Sequence, residues 1–241
     1  MQKFNDILRE KIVERKLSVD EKKLHQLEVY ATELKDWNTR INLTALKDDL
    51  DIIDKHFIDS LLLFCYEEIK QNARVADVGT GGGFPGIPIK IYRPDVRLSL
   101  IESIGKKAKF LKHIVDVLKL ENVEILNDRV EAIAHSKDHR EKYDLVVARC
   151  VARLPMLVEY CLPLVAVGGK FVAYKGQESK EELDEAKTAI SKLGGQFLKI
   201  EFDEINPERR SLIFIEKVKN TPDQYPRQAG KIGKKPLKVE G

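Results

Sequence analysis

The chain has 241 residues, of which 43% are hydrophobic and 34% charged, with a net charge of +3. This is an ordinary globular profile with room for one large α/β domain and an extension. No apolar run reaches a membrane span and the opening residues lack the apolar core of a secretory signal, so a cytoplasmic protein without a membrane partner is expected.

Apolar positions Phe4, Ile7, Leu8 and Ile12 have the spacing of one helix face. Ser18-Val-Asp-Glu21 reads as a capping box opening a second helix, with Leu24, Leu27, Tyr30, Leu34 and Trp37 inward. Asn38 and Asn42 end it, Thr44 can cap the next helical segment, and Asp48 to Glu68 reads as one or two further helices. Residues 1–70 are therefore expected to form a helical cap. Strands and helices then alternate. Strands are predicted at 75–78, 97–102, 123–127, 143–149 and 169–174, and helices at 87–92, 106–119, 130–135, 154–164 and 180–193. Such alternation predicts a doubly wound, mostly parallel sheet over residues 71–219. Residues 195–202 and 211–218 come next without a helix between them, as in an antiparallel hairpin that closes the sheet.

The tail differs in charge. From Lys217 to Gly241 there are seven Lys or Arg against two acids, a net +5, so the rest of the chain is about −2. Residues 220–241 read as a basic tail, either a polyanion contact or a solvated, disordered end. The cysteines at 65, 150 and 161 show no metal or redox spacing and read as reduced thiols.

The stretch from Val75 to Gly86 organises the chain. A short apolar strand ends near Asp77, four glycines follow within five residues, and a helix begins at Ile87. Bare backbone running into a helix N-terminus makes a ligand site. A dinucleotide register can be forced onto Gly81-x-Gly83-x-x-Gly86 with Glu102 downstream, but it leaves too many residues between strand and first glycine. The alternative register, Asp77-x-Gly79-x-Gly81-x-Gly83, resembles motif I of the class I S-adenosylmethionine (SAM) methyltransferases. A closing antiparallel strand is also similar to the sheet of those enzymes.

Ligands of an open parallel sheet bind beyond the carboxyl ends of its strands. That rule selects Asp77 and the glycine loop, Glu102, the Asp128–Glu131 segment, Arg149 and Lys175. A carboxylate at Glu102 can accept both ribose hydroxyls. Phe84 can cover a ligand or pack between helix and sheet. Val130 and Glu131 lie where an adenine edge would reach. Arg149 can bind a carboxylate, a phosphate or a guanine edge, or serve an ion pair with Glu131 or Asp128. Lys175 can touch RNA phosphate. His56 and Asp59 are close on the cap, where a structural pair outweighs acid–base work. Cys150 reads as a buried hydrophobe rather than a nucleophile.

Several motifs recur together: Asn42-Leu-Thr44, His56-Phe-x-Asp-Ser60, the loop from Asp77 to Gly86, Ala148-Arg-x-Val-Ala-Arg153, and Tyr225-Pro-Arg with Lys234-Lys-Pro-Leu237. In this order and spacing they resemble the RsmG (GidB) family of bacterial 16S rRNA guanine-N7 methyltransferases over nearly the whole chain. The resemblance implies SAM as cofactor, held at Gly79, Phe84, Val130, Glu131 and Arg149. It implies a guanosine in the decoding-region loop as substrate, on 16S rRNA or a small-subunit assembly intermediate. The oligomeric state is open, with a monomer as the default. Guanine N7 has an in-plane lone pair and no proton to lose, so the chemistry asks for alignment rather than a base. A SAM-binding ribosome-assembly factor, or a methyltransferase of another RNA or protein, remains the alternative.

Overall fold

The structure, a computed structural model, describes residues 2–205 and 207–237. Lys238 and Glu240 of the predicted tail lie outside the described residues.

Helices α1 (Gln2–Glu14) and α2 (Glu21–Asn38) follow the apolar periodicity. The cap of α2 differs from the predicted one. Asp20, in extended conformation, is the N-cap, and its carboxylate accepts from Lys23 N at 2.8 Å. An aspartate caps as well as a serine, and one placed next to Glu21 starts the helix two residues later. Four short helical pieces follow: α3 (Asp49–Ile52), a π-helical stretch (Ile53–Ile58), α4 (Asp59–Leu61) and α5 (Leu63–Tyr66). Asp48, not Thr44, caps the first of them.

The parallel core is β1 (Arg74–Val78), β2 (Arg97–Ile101), β3 (Val123–Leu126), β4 (Tyr143–Arg149) and β5 (Val165–Lys175). Helices α6 (Gly86–Tyr92), α7 (Gly105–Val117), α8 (Val130–His135), α9 (Leu154–Cys161) and α10 (Ser179–Lys192) connect and follow these strands. The sheet closes with β6 (Gly195–Ile205) and β7 (Glu208–Lys217). Strand order is β3-β2-β1-β4-β5-β7-β6, and β7 runs antiparallel to both its neighbours. The order reverses between β1 and β4, so the loops after these two strands open a crevice.

Alternation along the strands splits the core in two. Val75, Leu145 and Val147 face one cluster, which also holds Leu8, Leu24, Leu34 and Phe57 of the N-terminal helices. Ala76, Val78, Val146 and Ala148 face the other, which holds Leu157 and Val158 of α9. The N-terminal helices thus cover one face of the sheet.

As far as Leu237 the tail is not a solvated end. Helix α11 (Ala229–Lys234) follows a segment in which Thr221 and Tyr225 are buried, and Ile232 and Leu237 are buried beyond them. Enough apolar side chains lie among the basic ones to dock it on the second cluster.

Candidate active site

The loop after β1 is held at both ends by one carboxylate. Asp77 is fully buried, and its Oδ2 accepts from Thr80 Oγ1 at 2.6 Å and from Gly86 N at 2.8 Å. Burial raises its pKa to about 6 against the opposing pull of those two hydrogen bonds. Its Oδ1 has no hydrogen-bond partner among the described residues. Gly79, Gly81 and Gly83 take φ of +68°, +60° and +97°, a region that L side chains avoid. A Cβ at Gly81 would meet nothing nearer than Gly79 O at 3.9 Å, whereas one at Gly83 would strike Tyr30 Oη and Ile87 Cδ1 at 2.5 Å. Gly81 therefore faces open space and Gly83 faces the cap. Tyr30 of α2 also donates to Gly82 O at 2.5 Å, so the N-terminal helices grip the loop directly.

Glu102 stands just past β2 and is 5% exposed. Its Oε2 accepts from Gly81 N at 3.0 Å and its Oε1 from Ile104 N at 2.8 Å. Each oxygen keeps a further lone pair for a ligand hydroxyl.

Two cavities meet at Gly79. One, of about 320 Å³, is lined by Glu102, Val130 and Glu131 together with Val151, Met156 and Tyr160. The other, of about 710 Å³, is lined by His56, Gly81, Phe84, Arg149, Leu43 and Leu46 among others. Asp77, buried beneath the loop, lines neither cavity. The other predicted residues divide between the two, with Gly79 as their shared wall. Met156 and Tyr160 are cavity-lining residues that the sequence alone does not reveal. They lie four apart on α9 and so share a face, but the apolar stretch around them hides which face that is.

Arg149 points inward from the end of β4, as expected, but its partners differ from those predicted. It pairs with Asp59 rather than Glu131 or Asp128, and its Nη1 also donates to Lys55 O at 2.8 Å. Its Nη2 lies 3.1 Å from His56 Nδ1. A guanidinium only donates, so Nδ1 accepts and the imidazole is neutral, with its proton on Nε2. That Nε2 then donates to Thr44 Oγ1 at 2.8 Å. Burial, and then the Arg149 charge, lower the His56 pKa to about 3. Asn38 completes the arrangement: its Oδ1 accepts from Leu43 N and Thr44 N at 2.8 and 3.0 Å. The separate motifs around Thr44, His56, Asp59 and Arg149 form one network.

Phe84 is buried and does not lie open over a ligand. Its ring stacks between His56, at 4.1 Å, and Tyr30, at 5.1 Å, and Arg149 sits 5.2 Å from its centroid. Lys175 does not reach outward for phosphate: its Nζ is 2.6 Å from Glu182 Oε2 and donates to Ala152 O at 2.7 Å. The inward ammonium is not left unpaired, because Glu182 supplies the opposite charge and Ala152 O a further acceptor. Cys150 is exposed, with φ of +57°, and lines the larger cavity, contrary to its expected burial. The turn out of β4 rotates it away from the core.

The fold resembles known SAM enzymes. M. jannaschii TYW2 in complex with AdoMet superposes with a TM-score of 0.55 at 17% identity, covering 75% of this chain and 80% of that one. The antibiotic-resistance methyltransferase Kmr gives 0.52 at 16% identity, covering 63% and 89%. At that identity the likeness is one of fold. With the β1 glycine loop and the antiparallel β7, it defines the fold of the class I SAM-dependent methyltransferases. A profile of the GidB family, described as rRNA small subunit methyltransferase G, matches residues 23–213. The ribosomal RNA small subunit methyltransferase G of Clostridium tetani is 44% identical over 239 residues, covering 98% of this chain and 100% of that relative. Its counterpart in Clostridium novyi is 46% identical, with 97% of each covered. The chain belongs to this family of rRNA methyltransferases.

The site fits SAM on its own terms. Gly81 faces open space beside a carboxylate that keeps lone pairs free, and Asp77 carries a buried oxygen without a partner. No helix among the described residues is long and apolar enough to cross a membrane.

Proposed function

We propose that the enzyme methylates N7 of a guanosine in the decoding-region loop of 16S rRNA. In this reading the smaller cavity takes the adenosine of SAM. Glu102 would accept from the ribose hydroxyls, and Val130 and Glu131 would border the adenine. The amino-acid end would pass Gly79 toward Gly81 and Arg149 at the near end of the larger cavity, with Asp77 holding the loop from beneath. SAM supplies the electrophilic methyl. The rest of the larger cavity, on the far side of Gly79, takes the target base.

One observation carries the choice of acceptor. None of the carboxylates or the imidazole lining the larger cavity stands free to remove a proton. His56 is bonded at both nitrogens, and Asp59 pairs with Arg149 and Arg210. Glu182 pairs with Lys175, and Glu208 with Arg210 and Lys55. Methylation of an exocyclic amine or a ribose hydroxyl must dispose of a proton, whereas N7 attacks through a lone pair. What remains is to hold N7 in line with the methyl within about 3–3.5 Å, which supplies most of the acceleration. Acids near the cleft favour the cationic product ring.

The test uses purified small subunits lacking the modification. After incubation with enzyme and SAM, borohydride reduction and aniline treatment cleave RNA at N7-methylguanosine. Primer extension should stop at one guanosine of the decoding-region loop, with Cys150→Ala as active as the wild type. Methyl transfer without such a cleavage, or loss of transfer in Cys150→Ala, would overturn the reading.

A further inference from the structure

The smaller cavity is walled on one side by two short helices. α8 supplies Val130 and Glu131, and α9 supplies Met156 and Tyr160. A six-residue and an eight-residue helix are marginal without tertiary support. Besides the sheet and α10, the C-terminal segment supports both. Glu159, between the two cavity residues of α9, is fully buried. Its Oε1 accepts from Arg227 N at 2.9 Å and Nε at 2.8 Å, and its Oε2 from Arg227 Nη2 at 2.6 Å. This bidentate geometry fixes α9 in rotation as well as position. α8 is tied at its C-terminal end. His135 Nε2 donates to Pro226 O at 2.8 Å, and Arg140 Nη1 bridges Ala134 O and Tyr225 O at 3.2 and 2.8 Å.

The segment is itself anchored by a buried lysine. Lys217 Nζ donates to Leu162 O at 2.6 Å and to Thr221 Oγ1 at 2.7 Å, and faces Glu141 Oε1 at 3.1 Å. Tyr225 and Leu237 enter the same apolar cluster that Val130 and Tyr160 pack against. The contacts through Arg227, Pro226 and Tyr225 thus order this segment and the cavity wall together.

We propose that residues 221–237 are a positioning element of the cofactor site, with Arg227 as its principal positioning residue. Arg227 acts through Glu159 on α9 and has no role in touching substrate. The proposal rests on the reading of the smaller cavity as the adenosine site. It gives the tail a role at the cofactor, where the sequence pointed to a polyanion contact or a disordered end.

Calorimetric titration of the full-length protein with SAM tests this. Arg227→Ala should raise the Kd for SAM about tenfold. His135→Ala, which removes a single bond and should fold normally, should raise it about threefold. Replacing the exposed Lys231, Lys234 and Lys235 together by glutamine should change it by less than about twofold. In turnover, the KM for SAM should rise with the Kd, while the KM for rRNA and the kcat at saturating SAM stay within about twofold. A general loss of structure would lower kcat instead. Wild-type SAM affinity in folded Arg227→Ala, or in His135→Ala if the first variant does not fold, would overturn the proposal. So would an equal loss in the lysine variant. Protection of Met156 and Tyr160 by SAM in hydrogen exchange of the wild type checks the adenosine placement separately. Its absence would overturn that placement, whatever the variants do.

Discussion

Arg149 at the end of β4 and Asp59 in α4 form an ion pair that fastens the N-terminal helices to the crevice edge of the sheet. Their side chains are only 10% and 5% exposed. Asp59 also meets Arg210 Nε of β7 at 3.2 Å. One carboxylate therefore answers two guanidinium groups. Asp59→Ala leaves both without it, one of them buried, and should lower the unfolding free energy by about 3–5 kcal/mol. Arg210→Ala leaves the inner pair whole and should cost less than about 2 kcal/mol. Urea unfolding of the two variants gives the comparison; equal losses would mean that Arg149 does not depend on Asp59.

The glycines of the loop should separate binding from stability. Gly81→Ala places a methyl in open space at positive φ, a strain of about 1–2 kcal/mol, and should weaken SAM binding while the protein stays folded. Gly83→Ala drives a methyl against Tyr30 and Ile87 and should destabilise by more than that, adding overpacking to strain. Thermal melts and SAM titrations together resolve the two. A Gly81→Ala protein with unchanged SAM affinity would remove this glycine from the site.

The parallel core is legible in the sequence because β1 to β5 are apolar runs of strand length separated by helical periods. The loop is legible because few chemistries need glycine at Gly79, Gly81 and Gly83 together. The hairpin is longer than its apolar pattern: β6 runs to Ile205 and β7 starts at Glu208, through a mostly charged stretch in which Ile205 alone is apolar. Side-chain partners are illegible. Nothing local in the sequence joins Arg149 to Asp59, 90 residues away, or Arg227 to Glu159, 68 away. The same blindness makes Lys175, Lys217 and Arg227 look like surface charges. Each is turned inward by a carboxylate that only the fold supplies.

Two titrating groups of the site act in opposite directions on acid stability. His56 has its pKa lowered from 6.5 to about 3 in the folded protein. Below pH 6.5 the unfolded chain binds a proton there that the folded one does not, so stability falls as pH drops from about 6.5 toward 3. Asp77 has its pKa raised from 3.8 to about 6. Between these values the folded chain holds the extra proton, so stability rises as pH drops from about 6 to 4. In the wild type the two slopes largely cancel over that window. His56→Gln removes one of them while keeping an acceptor and a donor. Its stability relative to the wild type should improve by up to about 1.4 kcal/mol per pH unit below pH 6.5. Urea unfolding at pH 7, 5 and 4 measures this, and a constant difference across the series would refute a neutral buried His56.

Lys175 offers the sharpest separation of a structural from an RNA-binding charge. Its ammonium is tied to Glu182 and Ala152 O, and Glu182 in turn accepts from Leu154 N at 2.6 Å, at the start of α9. The pair closes the turn between β4 and α9, where Val151 lies against Gly79. Lys175→Met strands a nearly buried carboxylate and should lower stability by about 3 kcal/mol. A phosphate-binding lysine behaves differently, since its loss reduces the slope of log affinity against log salt by about 1. Here the slope for rRNA binding, measured from about 50 to 200 mM salt, should match that of the wild type. A flattened slope with unchanged stability would return Lys175 to the RNA surface and require the Glu182 pair to open when the substrate binds.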